Sequence, residues 1–256
     1  FGSRGARRRS GGPPQRTPLA GAPGAAMAGL KALIQRCTGG LVGGSSETPQ
    51  FLILGLDKAG KTTLLYRLKI GNSWDSIKKD MARMREPDIS GKTEDPGYHY
   101  EDLSFPRQFS CGMWEVPGTE PMRRLWRSFY HAIKIHGVFF VVAEWDKDEA
   151  RIELAKKHLH FLMNEDELRS AAFVVIFNTR ESMRGVKATT DAKDDIQNSE
   201  LFYRLGLHTL HGTCEWRMKP VSLNVLELKE TDKIWGEILN HMKAVLMDHK
   251  GYGMKF

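Results

Sequence analysis

Cysteine is scarce in this sequence: Cys37, Cys111 and Cys214 are far apart and odd in number. They give no disulfide framework, so a reduced, intracellular compartment is expected. Long apolar runs are missing as well. No stretch approaches the roughly eighteen apolar residues of a spanning helix, which leaves peripheral contact as the expected form of any membrane association. Metal-ligand spacings are lacking too; His158 and His160 stand two apart, cannot share one helical face, and read as surface histidines. Acidic residues are absent from 1–46, where seven of the chain's 38 basic residues fall, leaving 31 basic against 31 acidic beyond it. The net charge of +7 therefore belongs to the N-terminal segment. A nucleic-acid-binding domain is unsupported, because no basic charge is concentrated on the folded part.

What is present, 256 residues with 41% apolar content, suits one full core carrying a tail. Residues 1–26, rich in Gly, Pro, Ala and Arg, cannot bury enough apolar surface to order themselves. They read as a disordered basic leader or an extension upstream of a start at Met27, with an Arg-rich transit peptide as the less favoured alternative. In the amphipathic segment and linker of 27–46, Leu30, Leu33, Ile34 and Cys37 recur at helical spacing. The folded domain is expected over 47–250. Apolar patterning predicts strands near 50–56, 98–104, 107–115, 137–144, 172–178 and 217–223, with helices near 60–70, 121–134, 149–163, 197–205 and 231–247. Such alternation implies an α/β fold with a mostly parallel sheet and helices on both faces.

The run Gly55-Leu56-Asp57-Lys58-Ala59-Gly60-Lys61-Thr62-Thr63, entered from the apolar Phe51-Leu52-Ile53-Leu54, is a complete phosphate-binding loop between a strand and a helix. Gly55 and Gly60 let the backbone curl so that its N–H groups point at an anion, and the helix beginning there adds its positive end. Lys61 supplies a mobile cation for the terminal phosphates. Thr62 offers a hydroxyl oxygen to Mg²⁺.

The wording of this loop resembles that of the ADP-ribosylation factor (Arf) family of small GTPases. Trp114-Glu115-Val116-Pro117-Gly118-Thr119 with Arg124-Leu125-Trp126-Arg127-Ser128-Phe129-Tyr130 looks like that family's second switch, and Asn164-Glu165-Asp166-Glu167-Leu168-Arg169 and Leu205-Gly206-Leu207-His208 read as family phrases. The resemblance covers about residues 50–246. It implies a P-loop small G-protein fold with a six-stranded sheet, GTP or GDP held with Mg²⁺ as cofactors, and signalling through two switches in vesicle and membrane traffic. Exchange factors, activating proteins and effectors are the implied partners, and cytoplasm and Golgi-like endomembranes the implied location. A weak, reversible membrane foot in the 27–46 segment is also implied, without myristoylation, because Ala28 rather than glycine follows Met27.

Carried over residue by residue, the resemblance assigns nucleotide contacts to Gly55, Asp57, Lys58, Ala59, Gly60, Lys61, Thr62 and Thr63, with Gly118 at the γ-phosphate. Asn178, Thr179 and Glu181 stand in the guanine motif, and Ser222-Leu223 where a backbone amide reads the guanine oxygen. The departures are instructive. Asp95 replaces the metal-binding threonine of the first switch, Glu115 the aspartate that orders the metal's waters, and Thr119 the glutamine that orients the attacking water. Threonine has no amide to bridge water and phosphate, so slow intrinsic hydrolysis is expected, and a pseudo-GTPase scaffold is the alternative. A nucleotide kinase on the same loop explains none of the Arf-like phrases. Tyr98, Trp114 and Phe129 match an exposed effector-binding triad, against the plainer reading of core packing. Trp74, Ile77, Met81 and Met84, within extra chain at 72–94, fit either a short helix stopped by Pro87 or a disordered insertion. Residues 182–200 add a polar loop.

Overall fold

The computed structural model describes residues 48–83, 98–105, 108–180 and 199–248, and all of these lie in the compact unit Leu41–Phe256. Six strands form one sheet in the order β2-β3-β1-β4-β5-β6: β1 Gln50–Leu54, β2 His99–Ser104, β3 Ser110–Glu115, β4 Gly137–Ala143, β5 Ala172–Asn178 and β6 Met218–Leu223. All neighbours run parallel except β2, which pairs antiparallel with β3 at the edge. The sequences explain the placement. Every residue of β1, β4 and β5 is buried, as expected of central strands covered on both faces, whereas β2 carries a broken burial pattern.

Eight α-helices follow among the described residues: α1 Lys61–Ile70, α2 Trp74–Arg83, α3 Glu120–Arg123, α4 Trp126–Ala132, α5 Glu149–Met163, α6 Glu200–Arg204, α7 Leu207–Cys214 and α8 Lys233–Asp248. On one face Phe51, Ile53, Phe139 and Val141 pack with Leu64, Leu65 and Leu68 of α1 and with Trp235, Ile238 and Met242 of α8. The alternate residue Phe140 points to the other face and meets Trp126 of α4 edge to face. The helix expected at 121–134 is instead two, joined by a turn in which Leu125 N–H bonds Met122 O, and this lets Trp126 tuck inward. The helix expected near 197–205 appears as α6, and beyond Gly206 at φ +68° the chain forms a further helix, α7, not among those expected from the sequence. The extra chain does form a helix, α2; its remainder and residues 181–198 lie outside the described residues, as does the 27–46 segment.

A P-loop site at the carboxyl ends of the strands

From β1 the chain leaves one way to β3 and the other to β4, so the loop 55–60 sits where the strand order reverses. Open α/β sheets bind ligands at such a point. Gly55 (φ +138°), Lys58 (φ +61°) and Gly60 (φ +102°) all adopt left-handed backbone conformations, which curls the loop into an amide-lined nest ahead of α1. Lys61 is buried and donates its ammonium to Leu56 O at 2.8 Å, so the cation lies folded over the loop. Gly118 closes the other side. A Cβ there would stand 2.1 Å from Gly55 O and 2.5 Å from Asp57 N, so only glycine lets the second switch lie against the loop.

Thr62 donates its hydroxyl to Glu115 at 3.1 Å, and both residues are buried. A hydroxyl and a carboxylate side by side are hard oxygen donors, the set Mg²⁺ takes while keeping much of its water. The added length of Glu115 relative to aspartate is thus absorbed by direct contact with Thr62. Behind it stands His99 of β2, its Nε2 3.8 Å from Glu115 and its Nδ1 2.9 Å from the Tyr66 hydroxyl. Tyr66 in turn stacks on Trp74 of α2 at 5.5 Å, so a line of contacts runs from the inserted helix to the Thr62–Glu115 pair. Neither Tyr66 nor His99 was legible as part of the site. Each is an ordinary residue in sequence, brought there by the pairing of β2 with β3.

Arg151 of α5 is a second residue the sequence did not disclose. It bonds the Asp57 carboxylate at 3.0 Å, Asp57 O at 2.9 Å and Asp146 at 2.6 Å, clamping the loop from the opposite wall. Burial alone would raise the Asp57 pKa, but the bond and charge of Arg151, with Lys61 beyond, outweigh it and hold the carboxyl below its ordinary value. Asn178 and Thr179 are joined to the loop and to β6 as well. Asn178 donates to Ala59 O at 2.8 Å and accepts the Val225 N–H at 3.2 Å, while Thr179 N–H bonds Leu223 O. Leu223 itself is buried in β6 beside Ser222, and Arg180 lies over the Trp145 ring at 4.4 Å. Thr63 continues α1, and Glu181 and Asp95 lie outside the described residues.

Two expectations need correction. The rings of Tyr98, Trp114 and Phe129 do gather, with centroids 5.6–6.2 Å apart, but Trp114 and Phe129 are 0% and 2% exposed rather than forming an open patch. Gln50 accepts the Trp114 indole N–H at 2.8 Å and Tyr100 covers the same ring at 4.4 Å, which draws it inward. His158 and His160 are not plain surface histidines: the first packs on Trp126 and the second bonds Leu205 O at 2.8 Å. Thr119 is exposed at the start of α3 and caps no N–H with its hydroxyl. Next to it, Trp126 Nε1 and Arg123 Nη1 donate to Pro117 O and Gly118 O, so side chains hold the backbone of the second switch.

A phosphate nest, a buried lysine, a threonine–carboxylate pair and a glycine pressed on the loop define a P-loop nucleotide-binding protein of the small G-protein class. The family comparison is specific: residues 40–235 match the ADP-ribosylation factor family, and the chain belongs to it. It is 34% identical over 151 residues to the ADP-ribosylation factor-like protein 1 of Saccharomyces cerevisiae, covering 59% of this chain and 71% of that protein. The family consists of GTP-binding switch proteins, and its fold is the one seen here.

Proposed function

We propose that the chain is an Arf-like switch that binds GTP and GDP with Mg²⁺, hydrolyses GTP slowly unaided, and acts in vesicle or membrane traffic. The observation that carries this reading is the convergence of the nest, Lys61, the Thr62–Glu115 pair and Gly118 on one point. When bound, Mg²⁺ would neutralise charge on the terminal phosphates; Thr62 is the residue that would hold it, with Glu115 ordering its waters. Lys61 leaves Leu56 O for the phosphates, and the Gly118 N–H reports which nucleotide is present. Asn178 fixes the base side of the loop, with Thr179, Glu181 and the Ser222-Leu223 backbone around the guanine. Tyr98, the half-buried member of the aromatic cluster, is the ring an effector reaches first. Exchange and activating proteins act on the same switches, and the 27–46 segment supplies the peripheral membrane contact. Thr119 is the specific observation favouring the scaffold reading, since it has no side-chain amide to orient water.

The test is to identify the nucleotide released from denatured, purified protein and to repeat the measurement on Lys61→Ala. Guanine nucleotide is expected from the parent and none from the variant, because the nest alone lacks a compensating cation. Equal nucleotide content in both would overturn the assignment.

A further inference from the structure

Between the second switch and α5 lies a groove with a volume of about 280 Å³ that the nucleotide site does not use. Its rim carries Arg123, Arg124, Arg127, Lys157 and His158, and no carboxylate lines it. The floor is apolar. Trp126, Tyr130 and Leu162 are buried there, while Phe161 stands 52% exposed at one end. Arg123 gives one N–H to Gly118 O, Arg127 gives its Nε–H to His131, and Arg124 meets Glu120 at 3.2 Å with both side chains in solvent. A guanidinium has five donors, so each arginine still presents several. The His158 pKa is lowered, first by burial and then by the charges of Arg123 and Lys157 beside it.

We propose that this groove seats an acidic peptide segment of a partner protein, with an apolar side chain on the Leu162–Phe161 floor and carboxylates on the rim arginines. Planar guanidinium forks match carboxylates. Base stacking by a single-stranded nucleic acid needs open aromatic faces, and of Trp126, Tyr130 and Phe161 only Phe161 is exposed. The site is separate from the Tyr98–Trp114–Phe129 cluster, yet Arg123 touches both it and Gly118. The groove is thereby coupled to the second switch, a step that rests on the proposed nucleotide-dependent function.

Fluorescence anisotropy with a labelled peptide of three Glu-Glu-Leu-Phe repeats tests this on the full chain loaded with GDP or a non-hydrolysable GTP analogue. Binding should be salt-sensitive and weaken at least about tenfold in Arg127→Glu/Lys157→Glu and about threefold in Phe161→Ala. It should be unchanged in Lys229→Glu/Lys233→Glu, which has the same net charge and changes the first residue of α8 and a residue of the loop before it, neither of which lines the groove. Equal losses in the two charge-reversed proteins would reduce the effect to net charge and overturn the site. So would absence of binding, or equal competition by oligouridylate or by phosphatidylcholine vesicles containing phosphatidylserine. Affinities differing at least about threefold between the two nucleotide forms are expected, and equal affinities overturn the coupling. Bound nucleotide is measured in every sample, so a failure to load condemns the switch reading while groove binding is still scored. Phe161→Ala removes an exposed ring and preserves the fold, which keeps the test open if charge reversal does not.

Discussion

At the scale of single residues, two side chains carry tests of the proposed function. Thr119 is too short to bridge water and phosphate, and its exposed position at the head of α3 gives it no structural bond to lose. Thr119→Gln should therefore raise single-turnover GTP hydrolysis without altering nucleotide affinity, by a factor short of the full glutamine contribution while Asp95 stands in the first switch. Brisk turnover by the parent protein alone would discard the idea. Arg151 acts on binding instead. Replacing it with methionine should weaken GDP affinity roughly threefold to tenfold, since a half-exposed clamp on Asp57 is partly screened by solvent. The sign of its pH dependence follows from the depressed Asp57 pKa. Stability from that carboxylate is fully present above the ordinary value of 3.8 and is lost as pH falls through the lower folded value, so denaturation midpoints of parent and Arg151→Met should converge only below about pH 4.

Among the elements, α2 is the part that departs from the compact G-protein plan. Its first residue, Trp74, is buried against Tyr66, and Arg67 of α1 ties the helix down through Asp75 at 3.0 Å while also bonding Gly71 O and Leu226 O. Lys78 joins the same carboxylate from one turn on. Among the described side chains of α2, Trp74 is the buried one, while Ile77 is 42% exposed. Trp74→Ala should cost the docked helix about 3 kcal/mol, seen as faster amide exchange across 74–83. Through Tyr66 and His99 the same change should quicken Mg²⁺-dependent GDP release. Unaltered exchange in α2 would show that its attachment lies elsewhere.

Over the whole molecule, stability should follow both ligand and protons. GDP with Mg²⁺ at a hundred times its Kd should add about 2.7 kcal/mol and raise Tm by several degrees, a shift absent with the adenine nucleotide if guanine is preferred. Two histidines make the fold acid-sensitive. Burial lowers the pKa of His241, against its bond to Arg217 O, and burial with neighbouring cations lowers that of His158. Their neutral forms contribute fully above the unfolded value of 6.5, and that contribution falls as pH drops from there toward the folded values. Tm should thus decline between pH 7 and about pH 5.5, and less steeply in His241→Gln, as differential scanning fluorimetry can check. Among the described residues no helix is long and apolar enough to cross a membrane.

The sequence by itself determined the sheet, the loop and its family, because these are local: an apolar strand, a glycine-framed turn and a helix start are contiguous in the chain. Lys61, Thr62, Glu115 and Gly118, each singled out within a short phrase of the sequence, come together around the loop. Only the tertiary structure decided that Trp114 and Phe129 are buried, because burial of a ring depends on Gln50 and Tyr100 from two other strands. It alone brought His99 to Glu115 and Arg151 to Asp57, pairs 16 and 94 positions apart in sequence. Packing likewise made the groove, since its cations come from α3, the turn after it, α4 and α5, and their charges balance acids elsewhere and leave no mark in the net charge. Periodicity reports which way a side chain points, whereas what it meets there is set by the crossing of elements that the chain brings together only on folding.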